Sequence, residues 1–245
     1  MNVIAVVVTY NRLELLKRNL SCLRRQTVPL TTLVVVDNDS TDGTGAWLDE
    51  QEDVKTIHQT NVGGAGGFYT GMEYARLADA DWIWCMDDDV FPRPDCLEQL
   101  LAYAGYEGVF VRGEVVRQVG LPNKDLFIFC DDTDYCLRTV AAGYKILYVP
   151  TALMDKEKFF SDDSWGERNK KKKWKRFYQI RNSSYLNHHY GKNWAVKYLR
   201  GFNGVIGYIL TAFFSAPFSG AYRWTDIPMF WKAYTDGIRE RLGRL

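Results

Sequence analysis

"NVIAVVVTYNR", residues 2–12, decides the fold. Residues 2–9 form a continuous, largely β-branched run, the pattern of a strand buried in a parallel sheet. "YNR" closes it. Leu13, Leu16, Leu20 and Leu23 then recur at helical spacing and predict a helix over about 13–26, with Pro29 beyond its end. The alternation continues. "TTLVVVD" (31–37) is a second strand, "NDSTDGTG" a turn, and a second helix starts near 42–44. "VKTIHQT" (54–60) is a third strand, followed by "NVGGAGGF" (61–68) and a helix over about 69–78. "DWIWCMD" (81–87) is the fourth strand. The order βαβαβαβ predicts an α/β protein with a mostly parallel sheet and right-handed crossovers. Ligands of such sheets bind beyond the carboxyl ends of the strands. Thr9 to Arg12, Asp37 with Asn38, residues 61–67, and Asp87, Asp88 and Asp89 are therefore expected on one rim.

The chain has 245 residues, enough for one large domain or a domain with an appendage. The division expected is 1–155 for the sheet domain and 156–245 for a helical region. A net charge of +1 gives no global case for nucleic-acid binding. Charge is uneven, however: "KKKKWKR" (170–176) gathers six basic residues around Trp174. Cysteines at 22, 85, 96, 130 and 136 are odd in number and lack a C-x-x-C pair, so neither a zinc site nor a disulfide framework is indicated. Reduced thiols and an N-terminus without signal-peptide character make the expected location cytoplasmic. Past Asp95 the pattern predicts a helix over 96–104 and a short strand in "GVFVRGEVV" from about 108. An apolar stub, an acidic cluster, a helix and a further strand follow within 126–150. Residues 201–222 carry no charge and are long enough for about one bilayer crossing. Asn203, Ser215, Pro217 and several glycines favour an interfacial or buried helix pair instead.

Three constellations can carry chemistry. In an extended segment side chains at i and i+2 point the same way, so Asp87 and Asp89 converge while Asp88 turns away. Two such carboxylates form a hard-oxygen site for Mg²⁺ or Mn²⁺, with ligand phosphates completing the shell. "DDTDY" (131–135) offers Asp131, Asp132 and Asp134 at a helix start. There acids favour the positive end of the dipole, and a carboxylate can also serve as a general base. Arg138 lies one helical turn beyond Asp134. The glycines of 61–68 allow close backbone approach to a ligand, although the stretch is neither a Walker loop nor a dinucleotide fingerprint. His58, His188 and His189 show no ligand spacing and read as structural or surface residues.

With these motifs assembled, the sequence resembles the family 2 glycosyltransferases of the GT-A fold. "VVVTYNRLELLKRNLSCLRRQT", "VVVDNDSTDGT", "NVGGAGGF", "MDDDVFPRPDCLEQL" and "DLFIFCDDTDYCLRTVAAGYKILYVP" match in order and spacing over about residues 2–150. The galactofuranosyltransferase and rhamnosyltransferase-like branch is the most similar. The resemblance implies a GT-A type, Rossmann-like, mostly parallel sheet with helices on both faces and a C-terminal helical extension. It also implies that Thr9, Asn11 and Arg12 line the nucleotide end, that Asp37 meets the base, and that Asn61, Gly63 and Gly64 border the ribose and sugar. Asp87 and Asp88 fall among the donor-binding residues, and Asp87 and Asp89 hold Mn²⁺ or Mg²⁺. Asp132 is the implied catalytic base, with Asp131 its neighbour. Family members often place a metal-ligating histidine just after the "YVP" strand. This chain reads "YVPTALMDKEK", which makes Asp155 the nearest oxygen ligand.

The activity implied is inverting transfer from a nucleotide-diphosphate sugar, of UDP-galactofuranose or dTDP-rhamnose type. The acceptor is a hydroxyl of a glycan or lipid-linked glycan in bacterial cell-surface polysaccharide synthesis. The polybasic segment suits anionic headgroups, which predicts peripheral contact with the cytoplasmic face of the inner membrane. Two other classes fit less of the sequence. A nucleotidyltransferase would carry a glycine-rich basic first loop, which "TYNRLELL" lacks. The other is a catalytically idle glycan- or membrane-binding module.

Overall fold

The computed structural model describes residues 1–102, 110–159, 164–215 and 222–245. They divide into two compact units. The first comprises 1–124 with 132–157, and the second 125–131 with 158–245.

The first unit is built on a five-stranded sheet. Its strands are β1 (Val3–Thr9), β2 (Thr32–Asp37), β3 (Val54–His58), β4 (Trp82–Asp87) and, after the short strand β5 (Val90–Pro92), β6 (Phe110–Arg112). Their spatial order is β3-β2-β1-β4-β6, with only β6 antiparallel. Every residue of β1 is buried because helices cover both faces. Val3, Ala5 and Val7 pack with Leu16, Leu20 and Leu23 of α1 (Leu13–Arg24). Ile4 and Val6 pack on the opposite side with Met72 and Ala75 of α3 (Gly63–Leu77). That two-sided burial is why the strand reads as an unbroken apolar run. α2 (Thr44–Asp49) lies between β2 and β3, and α4 (Cys96–Ala102) follows β5.

α3 begins at Gly63, well before the 69 expected from the sequence. Gly67 and Gly71 are spacers for close packing. A Cβ at Gly67 would lie 2.5 Å from Val8 Cγ1, and one at Gly71 would lie 2.2 Å from Val6 Cγ1. The helix can settle on β1 only where no side chain intervenes.

Two expected strands differ. In "GVFVRGEVV" the strand ends at Arg112, and α5 (Gly113–Val119) takes "GEVV"; residues 103–109 lie outside those described. After α6 (Asp131–Ala141), "YKILYVP" makes an isolated bridge at Ile146 and no strand, and Tyr148 is 87% exposed. The chain pairs again at β7 (Met154–Lys156), antiparallel to β5.

The second unit is helical: α7 (Trp165–Tyr190), a π-helical turn (Ala195–Arg200), α8 (Gly201–Ser215) and α9 (Ile227–Ile238). Ser164 and Glu167 close a capping box at the start of α7. Phe177, Ile180, Val205, Ala212, Phe230 and Ala233 form its core. The "KKKKWKR" run lies in α7 and is partly structural. Lys173 pairs with Asp226 at 2.6 Å, and Arg176 donates to the Tyr222 hydroxyl at 3.0 Å. No helix among the described residues is long and apolar enough to cross a membrane. Of the 201–222 stretch, 216–221 lie outside the described residues.

The segment 125–131 belongs to the second unit through α7. The side-chain amide of the buried Asn182 donates to the carbonyls of Leu126 (2.9 Å), Ile128 (2.8 Å) and Phe129 (2.9 Å). Phe127, Phe129 and Cys130 all have positive φ, a costly conformation for such residues. The Asn182 bonds, with Arg181 Nη2 on the Leu126 carbonyl at 3.0 Å, hold it in place.

Candidate active site

Strand register assembles the expected rim. Thr9 at the end of β1 pairs with Asp37 at the end of β2, which in turn pairs with His58 at the end of β3. On the other side, Val8 pairs with Asp87 at the end of β4. Four strand ends separated in sequence thus meet along one edge.

At the centre lies an ionic cluster. The Thr9 hydroxyl donates to Asp88 Oδ2 at 2.8 Å. Arg12 Nη1 donates to Asp88 Oδ1 at 3.0 Å and to Asp89 Oδ2 at 3.2 Å. Asp88 and Asp89 form the turn that follows β4, and Asp88 points inward and is buried. Asp87 and Asp89 converge on the Lys156 ammonium. Asp87 Oδ2 is 3.6 Å away and Asp89 Oδ1 3.2 Å. The angle at Asp89 Oδ1 makes no hydrogen bond, leaving that buried oxygen without one. Burial pushes the Asp88 carboxyl up to about 6, against the pull of Arg12 and Thr9. Burial also raises Asp87, opposed chiefly by Lys156. Desolvation would lower Arg12 and Lys156, yet their carboxylate partners together outweigh it and hold both above their ordinary values.

Around this cluster the loops are tied together. Asn11, at φ 53°, accepts from the Thr41 N–H at 2.6 Å, and its own N–H donates to Ser40 Oγ at 2.9 Å. Asp37 Oδ1 accepts from the Ser40 N–H at 3.1 Å, while Oδ2 faces His58 Nδ1 at 3.2 Å. The other ring nitrogen of His58 lies 3.0 Å from Asp49. That bond, followed by the one to Asp37, raises the His58 pKa against the effect of burial. Asn61 Oδ1 accepts from the Gly63 N–H at 3.0 Å and starts α3. A Cβ at Gly64 would meet nothing within 4 Å, so that position faces open space.

Asp131 and Asp132 begin α6. Asp132 is exposed and accepts from the Thr133 N–H at 2.6 Å. Asp134 is buried and paired with Arg138 at 3.0 Å. Arg138 also donates to the Val119 and Leu121 carbonyls, which makes this third acid structural.

Asp155 does not join the acidic pair. It alternates with Lys156 along β7, so when Lys156 faces Asp87 and Asp89, Asp155 faces elsewhere. It lies 3.6 Å from Arg93 and is largely exposed. Among the described residues no group of three or more His, Cys, Asp or Glu is set to hold a metal. Asp87 Oδ2 and the orphaned Asp89 Oδ1 nevertheless fit a hard divalent ion of the kind that takes one or two protein carboxylates and fills its shell with phosphate oxygens and water. Sequence reasoning missed two residues here, Lys156 and His58. Lys156 was hidden because no strand was expected at 154–156. For His58 the one signal was its place at a strand end beside Asp37.

The fold is that of GT-A glycosyltransferases. A mannosyltransferase from Pyrobaculum calidifontis, solved in complex with GDP-Man and Mn²⁺, superposes with a TM-score of 0.60 at 16% identity, covering 98% of this chain and 88% of that one. S. aureus TarS superposes at 0.56 and 15% identity, covering 98% of this chain and 54% of TarS. Residues 4–132 match the family model described as Glycosyl transferase family 2, and the chain belongs to that family. It is 42% identical to the galactofuranosyltransferase GlfT1 of Mycolicibacterium smegmatis over 92 residues, 37% of this chain and 30% of that protein. It is 37% identical to an undecaprenyl-phosphate mannosyltransferase of Micrococcus luteus over 106 residues, 41% of this chain and 43% of that protein. The matched stretch thus spans less than half of either relative.

Proposed function

We propose that the chain is an inverting, metal-using glycosyltransferase acting on a nucleotide-diphosphate sugar of UDP-galactofuranose or dTDP-rhamnose type. Its acceptor is a hydroxyl of a glycan or lipid-linked glycan in bacterial cell-surface polysaccharide synthesis. The observation that carries this is the meeting of Thr9, Asp37 and Asp87 at adjacent strand ends, where a nucleotide can lie across the rim. The galactofuranosyl relative supports the donor class, and the undecaprenyl-phosphate relative supports a lipid-linked acceptor.

Asp37 binds the base. Asn11 and the turn it holds border the nucleotide, and Asn61, Gly63 and Gly64 border the ribose and sugar. Arg12 and Thr9 keep Asp88 fixed, so that Asp87 and Asp89 are presented to the diphosphate. Mn²⁺ or Mg²⁺ held by Asp87 and Asp89 would supply Lewis-acid stabilisation of the leaving diphosphate. Asp132, with Asp131 as the next candidate, accepts the acceptor hydroxyl proton. The freed oxygen forms its bond to the anomeric carbon as the carbon–oxygen bond to the diphosphate breaks. The electron pair leaves with the nucleotide diphosphate, and configuration inverts without a covalent enzyme intermediate.

Peripheral membrane contact fits the second unit. Leu210, Phe213 and Phe214 of α8 are exposed, as are Trp224 and Trp174. Such aromatics beside a basic helix suit an anionic interface on the cytoplasmic side.

A donor panel with Mn²⁺ or Mg²⁺, scored by nucleotide-diphosphate release and by the product anomer, tests the reading. Release from a UDP-furanose or dTDP-deoxysugar with inversion is expected. Retention of configuration, or no release from any donor in the presence of glycan acceptors, would overturn it.

A further inference from the structure

We propose that Lys156 is the resident cation of Asp87 and Asp89 and competes directly with a divalent metal for them, so that metal enters only by displacing the ammonium. This rests on the donor half of the function proposed above. The Lys156 ammonium lies 3.2 Å from Asp89 Oδ1 and 3.6 Å from Asp87 Oδ2. A divalent ion would be held by the same two oxygens that the ammonium faces, and the two cations would compete for that space. A point charge of one sign cannot share that space with a divalent ion of the same sign.

The backbone carrying Lys156 is fixed. β7 pairs with β5, Val90 opposite Lys156, and the Glu157 N–H donates to the Asp89 carbonyl at 3.0 Å. What moves is the side chain, a flexible four-carbon stem that is 57% exposed and has an open path to solvent. Asp89 Oδ1 is the atom that gains most from the exchange. It is buried, and the ammonium approaches it without making a hydrogen bond, whereas a coordinating ion needs no such angle. Arg12 stays, because its partners are both oxygens on the far side of the cluster, Asp88 Oδ1 and Asp89 Oδ2. The device keeps the buried Asp89 and the half-exposed Asp87 neutralised when no donor is bound. It also sets the metal affinity of the donor-free protein low.

Mn²⁺ titrated into the full chain without donor, followed by the electron paramagnetic resonance signal of free Mn²⁺, tests this. Lys156→Met is expected to lower the Mn²⁺ Kd at least tenfold. Lys156→Arg keeps the wild-type affinity, and adding Asp89→Asn to Lys156→Met erases the gain. Lys156→Gln replaces the Met variant if its circular-dichroism melt shows loss of fold. Equal or weaker Mn²⁺ binding in the folded neutral variants, or none by any of the proteins, would overturn the proposal. A chain that releases no nucleotide from any donor, yet binds Mn²⁺ tenfold more tightly once Lys156 is neutral, would sink the proposed reaction and leave this competition standing. Normal turnover with unchanged Mn²⁺ affinity would do the reverse.

Discussion

Two runs of acids stand at the end of β4 and the start of α6, and the protein treats them oppositely. Asp87, Asp88 and Asp89 are met by cations from distant elements, Arg12 after β1 and Lys156 on β7. Asp131, Asp132 and Asp134 lie on one helix, where Asp134 pairs with Arg138 four residues on. The first run is a tertiary construction with its charges largely balanced. The second is local, and it leaves Asp132 exposed at the positive end of a helix. The contrast suits two tasks, holding a charged donor and taking a proton.

The largest expected effect breaks the second run. Asp132→Asn should lower turnover about 10³-fold, within the range of a lost general base, with nucleotide-diphosphate affinity unchanged by calorimetry. Normal turnover would transfer the role to Asp131. Next, Arg12→Met leaves Asp88 and Asp89 short of their shared partner and should cost about 3 kcal/mol of unfolding free energy in urea melts. A loss below about 1 kcal/mol would show that Lys156 and solvent suffice. Third, Asp134→Asn should cost about 2 kcal/mol while leaving kcat per folded molecule intact, because it weakens a charged hydrogen bond to Arg138 away from the reacting groups. A selective fall in kcat would make Asp134 part of the chemistry. The smallest effect concerns His58, whose pKa is raised above 6.5 by Asp49 and Asp37. Its contribution to stability is fully present below about pH 6.5 and is lost as pH rises through the raised value. The Tm gap between wild type and His58→Gln should therefore be widest at pH 6 and close toward pH 8. A gap that is flat across this window would mean that the ring is not protonated in the fold.

What could be read from the sequence follows the same divide between local and distant. The β1 run, the leucine spacing of α1 and the rim at the strand ends were legible because strand and helix periods write themselves into adjacent residues. The Asp134–Arg138 pair was legible because one helical turn fixes it. The convergence of Asp87 and Asp89 was expected from strand alternation, although it is the turn at Asp88 and Asp89 that brings it about. The partner they converge upon was not, for Lys156 lies far along the chain on a three-residue strand with too few positions to show a pattern. The glycines of 61–68 were read as allowing close approach to a ligand. Gly67 meets β1 while Gly64 faces open space, and no local signal separates a packed strand from a bound sugar. Asp155 was placed by analogy of position, and alternation along β7 gave the inward place to its neighbour.

Asn182 sets a rule for cutting and grafting this chain. Its one amide holds three carbonyls of the turn that precedes Asp131. Residues 125–131 are therefore inherited with the helices of 158–245, although the sequence places them inside the catalytic half. A chimera joined at 157 would pair one parent's turn with the other parent's clamp. Exchanging both segments together keeps donor and acceptors matched, so the unit to transplant is discontinuous.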